Sequence, residues 1–283
     1  MYFSESSDFN FYTDLASERC RADIHFDGVS FKKEDCAVGL WEHVEITTKE
    51  GAESIGRPIG FYDTLSLERF DLLDGRSISL AKDEISIAIK KMLGKMNVSA
   101  QRVLVVGLGN ASLTPDSLGP ASAALVKPTL HVSITDPYTF KLLECAEIAV
   151  IAPGVCTQSG FDSCEAVKAI CDRLLPDAVI AVDSLAAKAP ERLGATVQLS
   201  SSGITPGSGL GRKRLAVDED SLGIPVISVG VPTVMDSKYF LNDDIRRAYG
   251  RSAMMISPKE IDEIVSVGAD IISGGINRAF GFE

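Results

Sequence analysis

Histidine is scarce in this 283-residue chain: His25, His43 and His131 are the complete set. None stands at a metal-ligand spacing, so each reads as structural, and no zinc or other metal site is expected. Six cysteines (Cys20, Cys36, Cys145, Cys156, Cys164, Cys171) occur without any Cys-x-x-Cys and read as reduced, buried thiols. Cys156 sits in a Gly154-Val-Cys156 loop where a nucleophile is conceivable, but no histidine stands near it in sequence to act as its base. Positive charge is short as well: 28 Lys and Arg face 39 Asp and Glu, a formal charge of −11. That balance argues against a general binder of nucleic acid or anionic membranes. No apolar stretch approaches the roughly 20 residues that span a bilayer. Residues 1–10 lack the basic and apolar regions of a secretory signal, which predicts a cytoplasmic protein. Nucleotide signatures are missing too. No Gly-Lys-Ser/Thr follows a glycine-rich loop, and Gly107-Leu-Gly109-Asn110 has Ser112 where a dinucleotide fingerprint needs a third small residue. Nothing in the residues calls for a cofactor.

What is present is an ordinary globular composition, 45% hydrophobic and 24% charged, long enough to bury a substantial core. The first twenty residues are polar and aromatic without periodicity, as in a mobile or docked arm. Residues 38–48 and 59–67 read as strands, separated by turn signals at Lys49-Glu-Gly51 and Gly56-Arg-Pro58. A helix is predicted over 83–96, with Asp83 and Glu84 at its positive end. After it the rhythm becomes strand, loop, helix. Strands are predicted at 102–107, 147–152, 178–183, 195–200 and 225–230, and helices near 117–127, 161–174 and 258–280, the last opened by a Ser257-x-x-Glu260 capping box. The pattern predicts an α/β fold: a doubly wound, mostly parallel sheet with flanking helices and an N-terminal β-rich elaboration over about 20–80.

Two of the apolar runs lead to an aspartate. Val103–Val106 precedes Gly107-Leu-Gly-Asn110 and then Thr114-Pro115-Asp116, and Ala178–Val182 runs straight into Asp183. Open α/β sheets collect reactive groups beyond the carboxyl ends of their strands. Two carboxylates meeting there can share one proton, one serving as acid and one as base for attack of water on an amide. The approach of a helix start favours the ionised form at Asp116, leaving Asp183 as the protonated partner. The inverse assignment stays open, because such a pair titrates as a unit. Glycine-rich loops at Gly109-Asn110, Gly154, Gly203 to Gly207 and Gly230 offer backbone amides for a substrate strand or an oxyanion, although as plain turns they need no function. Arg212-Lys-Arg214 is a short basic cluster, read as a solvated loop or as a contact for an acidic peptide.

Taken in order, VVGLGN (105–110), LTPDSLGP (113–120), IAPGV (151–155), AVIAVDSLAAK (178–188), SSGITPGSG (201–209), IPVISVGVPTVMD (224–236), SPKEIDEIV (257–265) and ISGGINRAF (272–280) closely resemble the germination proteases of endospore-forming bacteria. The resemblance is strong over 101–280 and looser over 12–67, where Gly56-Arg-Pro-Ile-Gly60 belongs to it. It implies a fold like that of the hydrogenase maturation peptidases. It also implies an aspartic-type endopeptidase that degrades small acid-soluble spore proteins during germination in the spore core, assembles as a tetramer, and uses Asp116 and Asp183 as its catalytic pair. Family members are made as self-processing zymogens. Thr13-Asp14-Leu15-Ala16-Ser17-Glu18 looks like the site of that cut, between Asp14 and Leu15, making 1–14 a propeptide-like arm and 15–283 one protease domain. The chain departs from the family in being shorter between Thr233 and Ser257 and in lacking a tryptophan in the GLGNASLTPD loop. Two other readings remain: a metal-assisted maturation peptidase on the same fold, and a non-catalytic module that binds an anion or nucleotide.

Overall fold

The apolar runs become neighbouring strands whose alternate residues face opposite layers. The structure, a computed structural model, describes residues 13–20, 26–206, 215–239 and 254–282. In chain order its elements are β1 (Val29–Asp35), β2 (Leu40–Ile46), α1 (Lys49–Ile55), β3 (Gly60–Ser66), α2 (Gly75–Lys95), β4 (Arg102–Gly107), α3 (Leu118–Leu125), α4 (Leu130–Thr135), α5 (Pro137–Leu143), β5 (Glu147–Ile151), α6 (Cys156–Ser159), α7 (Ser163–Leu174), β6 (Ala178–Ala187), β7 (Thr196–Ser200), α8 (Glu219–Leu222), β8 (Val226–Asp236), β9 (Met255–Ile256) and α9 (Ile261–Ala279). The nine strands form one sheet in the order β1-β2-β3-β7-β8-β6-β4-β5, with β9 on β8. Strands β8, β6, β4 and β5 pair in parallel. The other pairings are antiparallel, so the β-rich N-terminal part continues the α/β sheet through β7 and the sheet is mixed.

Helices cover both faces of the parallel half. Val103, Val105, Ile180 and Val182 pack with Ile85, Ile89, Met92, Ile271 and Ile276 of α2 and α9. Leu104, Val106, Val179 and Ala181 face the other way, against Val167 and Cys171 of α7. This period-2 division of continuous apolar strands is what burial on two faces produces. Glycine allows the closest approach of α2 to α9: a Cβ on Gly275 would stand 2.5 Å from Ile85 Cγ2. Lys82 Nζ to Asp270 (2.8 Å) and Arg278 Nη1 to Asp83 (3.0 Å) flank that seam.

Several boundaries differ from the sequence expectation. Helix α2 starts eight residues before 83, because Asp74 caps it by accepting from the Ser77 N–H at 2.8 Å. Asp83 therefore lies inside the helix, where it pairs with Arg278 rather than meeting the helix dipole. The Ser257 capping box does not form: α9 begins at Ile261 with Glu260 as its uncapped N-cap. Lys49–Ile55, expected as a turn, is helix α1, with Thr48 accepting from the Gly51 N–H at 3.0 Å. Strands β6 and β8 run on past 183 and 230, to Ala187 and Asp236, so Asp183 and Gly230 lie within strands rather than at their ends. Among the described residues, no helix is long and apolar enough to cross a membrane.

Candidate active site

Asp116 and Asp183 reach the same cavity by different routes. Asp116 closes a 3-10 turn, Thr114–Asp116, immediately ahead of α3. Its position is fixed from behind. The Asn110 N–H donates to Asp116 Oδ2 (3.0 Å) and to the Asp116 carbonyl (2.9 Å), and the Asp116 N–H donates to the Leu113 carbonyl (2.8 Å). Glycine is needed for this return of the chain. Gly109 has φ +111°, and a Cβ there would lie 2.2 Å from the Asp116 carbonyl oxygen. A Cβ on Gly119 would lie 2.1 Å from the Leu108 carbonyl oxygen and 2.5 Å from that of Val182, so α3 presses directly on the end of β4 and the middle of β6. From the far side, Thr233 Oγ1 in β8 donates to the Pro115 carbonyl at 2.6 Å.

Asp183 is nearly buried at 4% exposure, paired in register with Gly230, and its Oδ1 accepts from the Ser184 N–H at 2.8 Å. Together with Asp116, Asp14, Leu185, Met255 and Ser257 it lines a cavity of about 290 Å³. Ser257, expected as a helix cap, instead belongs to this wall. A second cavity, of about 130 Å³, adjoins at Asp14 and Leu185 and is lined by Arg57, Gln198, Gly203 and Gly230 among others. Among the described residues, no group of three or more His, Cys, Asp or Glu side chains is arranged to hold a metal ion.

Residues 13–20 dock beside these cavities, with Asp14 lining both. The Asp14 N–H donates to the Ala186 carbonyl and the Ala186 N–H donates to Asp14 Oδ2, both at 2.8 Å. One backbone bond and one side-chain bond thus tie Asp14 to β6. Leu15 is fully buried against Leu185, Ala187, Leu193 and Met235, and Ala16 against Val44, Ile46 and Tyr62. Burying a leucine side chain contributes roughly 2 kcal/mol toward docking the segment. Glu18 accepts from the N–H groups of Lys188 and Ala189, each at 2.8 Å.

The other residues singled out from sequence take several places. Gly203 and Gly230 line the cavity beside Asp14. Gly109 and Asn110 buttress Asp116 from outside the cavity. Gly154 (φ +71°) stands apart from both cavities, tied to that buttress through Gln158, whose Nε2 donates to Asn110 Oδ1 at 2.7 Å. Gly207 and the Arg212-Lys-Arg214 cluster lie outside the described residues, as do residues 1–12 of the arm. Cys156 is exposed in the Gly154 loop and lines neither cavity. Sequence reasoning passed over Gln198 and treated Arg57 as a turn residue. A glutamine inside the apolar run 195–200 was the available signal, since a buried amide needs partners.

A family model described as "Germination protease" matches residues 10–251. The chain belongs to the germination protease family. It is accordingly a peptidase. A germination protease of Clostridium perfringens is 32% identical, with 96% of this chain and 95% of that protein covered. Another, from Caldanaerobacter subterraneus, is 32% identical over 94% of this chain and 93% of its own length. The Bacillus subtilis germination protease is 35% identical, covering 82% of this chain and 65% of its own. A NiFe hydrogenase maturation protease, HycI from Thermococcus kodakarensis, overlaps 67% of this chain and 98% of its own at 15% identity and a TM-score of 0.38, a likeness too distant to bear on the fold.

Proposed function

We propose that this germination-family peptidase is an endopeptidase that activates water with the Asp116–Asp183 pair and that it processes itself between Asp14 and Leu15. The observation that carries the reading is that Asp14, Asp116 and Asp183 line one cavity while the Asp14–Leu15 bond is held beside it, by the Asp14 N–H on the Ala186 carbonyl and by Gln198 on the Asp14 carbonyl. The pair begins with one proton. The ionised member, Asp116 in the preferred assignment, takes a proton from water as the oxygen bonds to the Asp14 carbonyl carbon and the carbonyl oxygen receives the electron pair. Protonated Asp183 stabilises that oxygen. When the C–N bond breaks, its electron pair goes to the Leu15 nitrogen, which takes the proton held by Asp116. The products are a carboxyl group on Asp14 and an amine on Leu15, and the pair is left as it began. The exchanged assignment works equally well for a coupled pair.

Within this reading residues 1–14 are a removable arm and 15–283 the working protease. The family resemblance supplies the finer points. The substrates are small acid-soluble spore proteins degraded on germination, the site of action is the spore core, and the assembly is a tetramer. The test is N-terminal sequencing and mass spectrometry of the purified chain before and after incubation with a spore-protein peptide at neutral and mildly acidic pH. A new N-terminus at Leu15, a cut peptide, and loss of both in Asp116→Asn and Asp183→Asn are expected. An unchanged N-terminus and an intact peptide would refute the reading.

A further inference from the structure

Gln198 touches the chain on both sides of one peptide bond. From its place in β7, its Nε2 donates to the Asp14 carbonyl oxygen (2.9 Å) and its Oε1 accepts from the Ala16 N–H (2.8 Å). The amide thus spans the Asp14–Leu15 bond. It is 6% exposed and pairs in register with Gly230, where a Cβ would stand 2.6 Å from Leu185 Cγ, so the strand beneath it has no slack. The carbonyl oxygen that Gln198 contacts is the atom on which negative charge develops when water adds to that bond. A donor already aimed at it is what stabilises such an oxyanion.

The Asp14 carboxylate is gripped separately. Oδ2 accepts from the Ala186 N–H at 2.8 Å, and Oδ1 faces Arg57 Nη2 at 3.4 Å. Arg57 Nη2 also donates to the Thr13 carbonyl, so one guanidinium holds both the backbone and the side chain on the N-terminal side of the bond. The end of α1 delivers it there. Gly56, in the left-handed region at φ +66°, caps the helix, and the N–H groups of Gly56 and Arg57 both return to the Ala52 carbonyl, at 2.7 and 3.1 Å. The short Gly-Arg-Pro turn is therefore a mount for a cation. A half-buried guanidinium with one carboxylate oxygen before it discriminates charge strongly, because a neutral isostere forfeits the charge-assisted contact.

We propose that Arg57 and Gln198 are the substrate-reading residues of this cleft: Arg57 selects an acidic residue on the N-terminal side of the cut bond, and Gln198 holds the peptide across that bond and stabilises the oxyanion. This rests on the proposed cleavage between Asp14 and Leu15.

The processed chain is tested on a peptide of residues 9–20 and on the same peptide carrying Asp14→Asn. The wild type should favour the aspartate peptide on the order of tenfold or more in kcat/KM, chiefly through KM. Arg57→Gln should bring that ratio close to one, and Arg57→Lys should recover part of it. Gln198→Glu keeps the acceptor for Ala16 but removes the donor. It should lower kcat on both peptides on the order of a hundredfold with little change in KM. An undiminished ratio in Arg57→Gln, or an undiminished kcat in Gln198→Glu, would overturn the assignment. A second measurement needs no peptidase activity. In the full chain carrying Asp183→Asn, the rate at which an added protease cuts segment 13–20 reads how firmly that segment is docked. Arg57→Gln and Asp14→Asn should each speed the cut severalfold, and the two together no more than either alone. A segment equally protected in Arg57→Gln would overturn the acid-reading role. A wild type that cuts nothing, with this coupling intact, would sink the proposed cleavage between Asp14 and Leu15 and support the acid-reading role.

Discussion

The two halves of the sheet bury different things. In the parallel half, Val103–Val106 of β4 and Ala178–Val182 of β6 have no exposed surface and are wholly aliphatic. In the antiparallel half, buried positions carry charge. Glu42 of β2, 3% exposed, forms ion pairs with Arg192 (2.6 Å) and Lys33 (3.0 Å), and Asp63 of β3, also 3% exposed, meets His43 at 2.7 Å and Lys95 at 3.7 Å. The contrast separates two tasks. Dry, tightly packed strands underlie Asp183 and the turn that carries Asp116, whereas Gln198 of β7 and Arg57 beyond α1 hold segment 13–20. Burial on its own would raise the Glu42 pKa. The hydrogen bond from Lys33 and the charge of Arg192 outweigh it and hold the carboxyl below its usual range.

The largest effect that would break this division is on turnover. Asp116→Asn and Asp183→Asn should each lower cleavage of a spore-protein peptide roughly a thousandfold or more with little change in melting temperature. Near wild-type turnover in either would move the chemistry out of the parallel half. Next comes packing. Gly119→Ala forces a methyl group against the Leu108 and Val182 carbonyls and should cost roughly 3 kcal/mol in denaturant unfolding. Gly75→Ala, where a Cβ meets nothing within 4 Å, should leave stability unchanged or slightly raised.

The charged half should respond to pH instead. Glu42→Gln strands Arg192 and Lys33 and should cost roughly 2 kcal/mol at neutral pH. Because the folded-state pKa of Glu42 lies below its unfolded value, the stability it contributes is present above about pH 4.5 and is lost as pH falls further through the folded value. Melting curves of wild type and Glu42→Gln should therefore converge on acidification below that point. A gap constant with pH would mean that the pair's charge does not matter. The smallest expected effect concerns thiols. Exposed Cys156 should react first with iodoacetamide at about pH 8 without loss of peptide cleavage. Cys171, buried and with its thiol pushed up to about 11 chiefly by desolvation, should stay unmodified in the folded chain.

Legibility in the sequence followed the same division. Strands β4 and β6 were readable because burial on both faces leaves unbroken aliphatic runs, and β5 and β8 because each holds a short apolar stretch. Asp183 was readable because it directly ends such a run, and Asp116 because it follows one across a glycine turn. The antiparallel half was harder to read. Strand β1, with Lys32, Lys33, Glu34 and Asp35 in its second half, was not expected, since an edge strand with polar outward positions carries no apolar run. Helix α1 was taken for a turn because so short an element holds Gly51 inside it and Gly56 just beyond its end. The start of α2 was missed because Asp74, rather than the acidic pair at 83–84, supplies the cap.

By itself, the linear order of residues determined the alternation of strands and helices, the two aspartates, and the membership of a peptidase family. All three are local patterns of polarity and motif, carried by neighbours along the chain. Only the tertiary structure decided that Leu15 is buried, that Gln198 spans the Asp14–Leu15 bond, and that Arg57 stands before the Asp14 carboxylate. These contacts join residues 43 to 184 positions apart. Such pairings depend on which strand lies beside which, and strand order is set by the packing of whole layers rather than by any local run of residues.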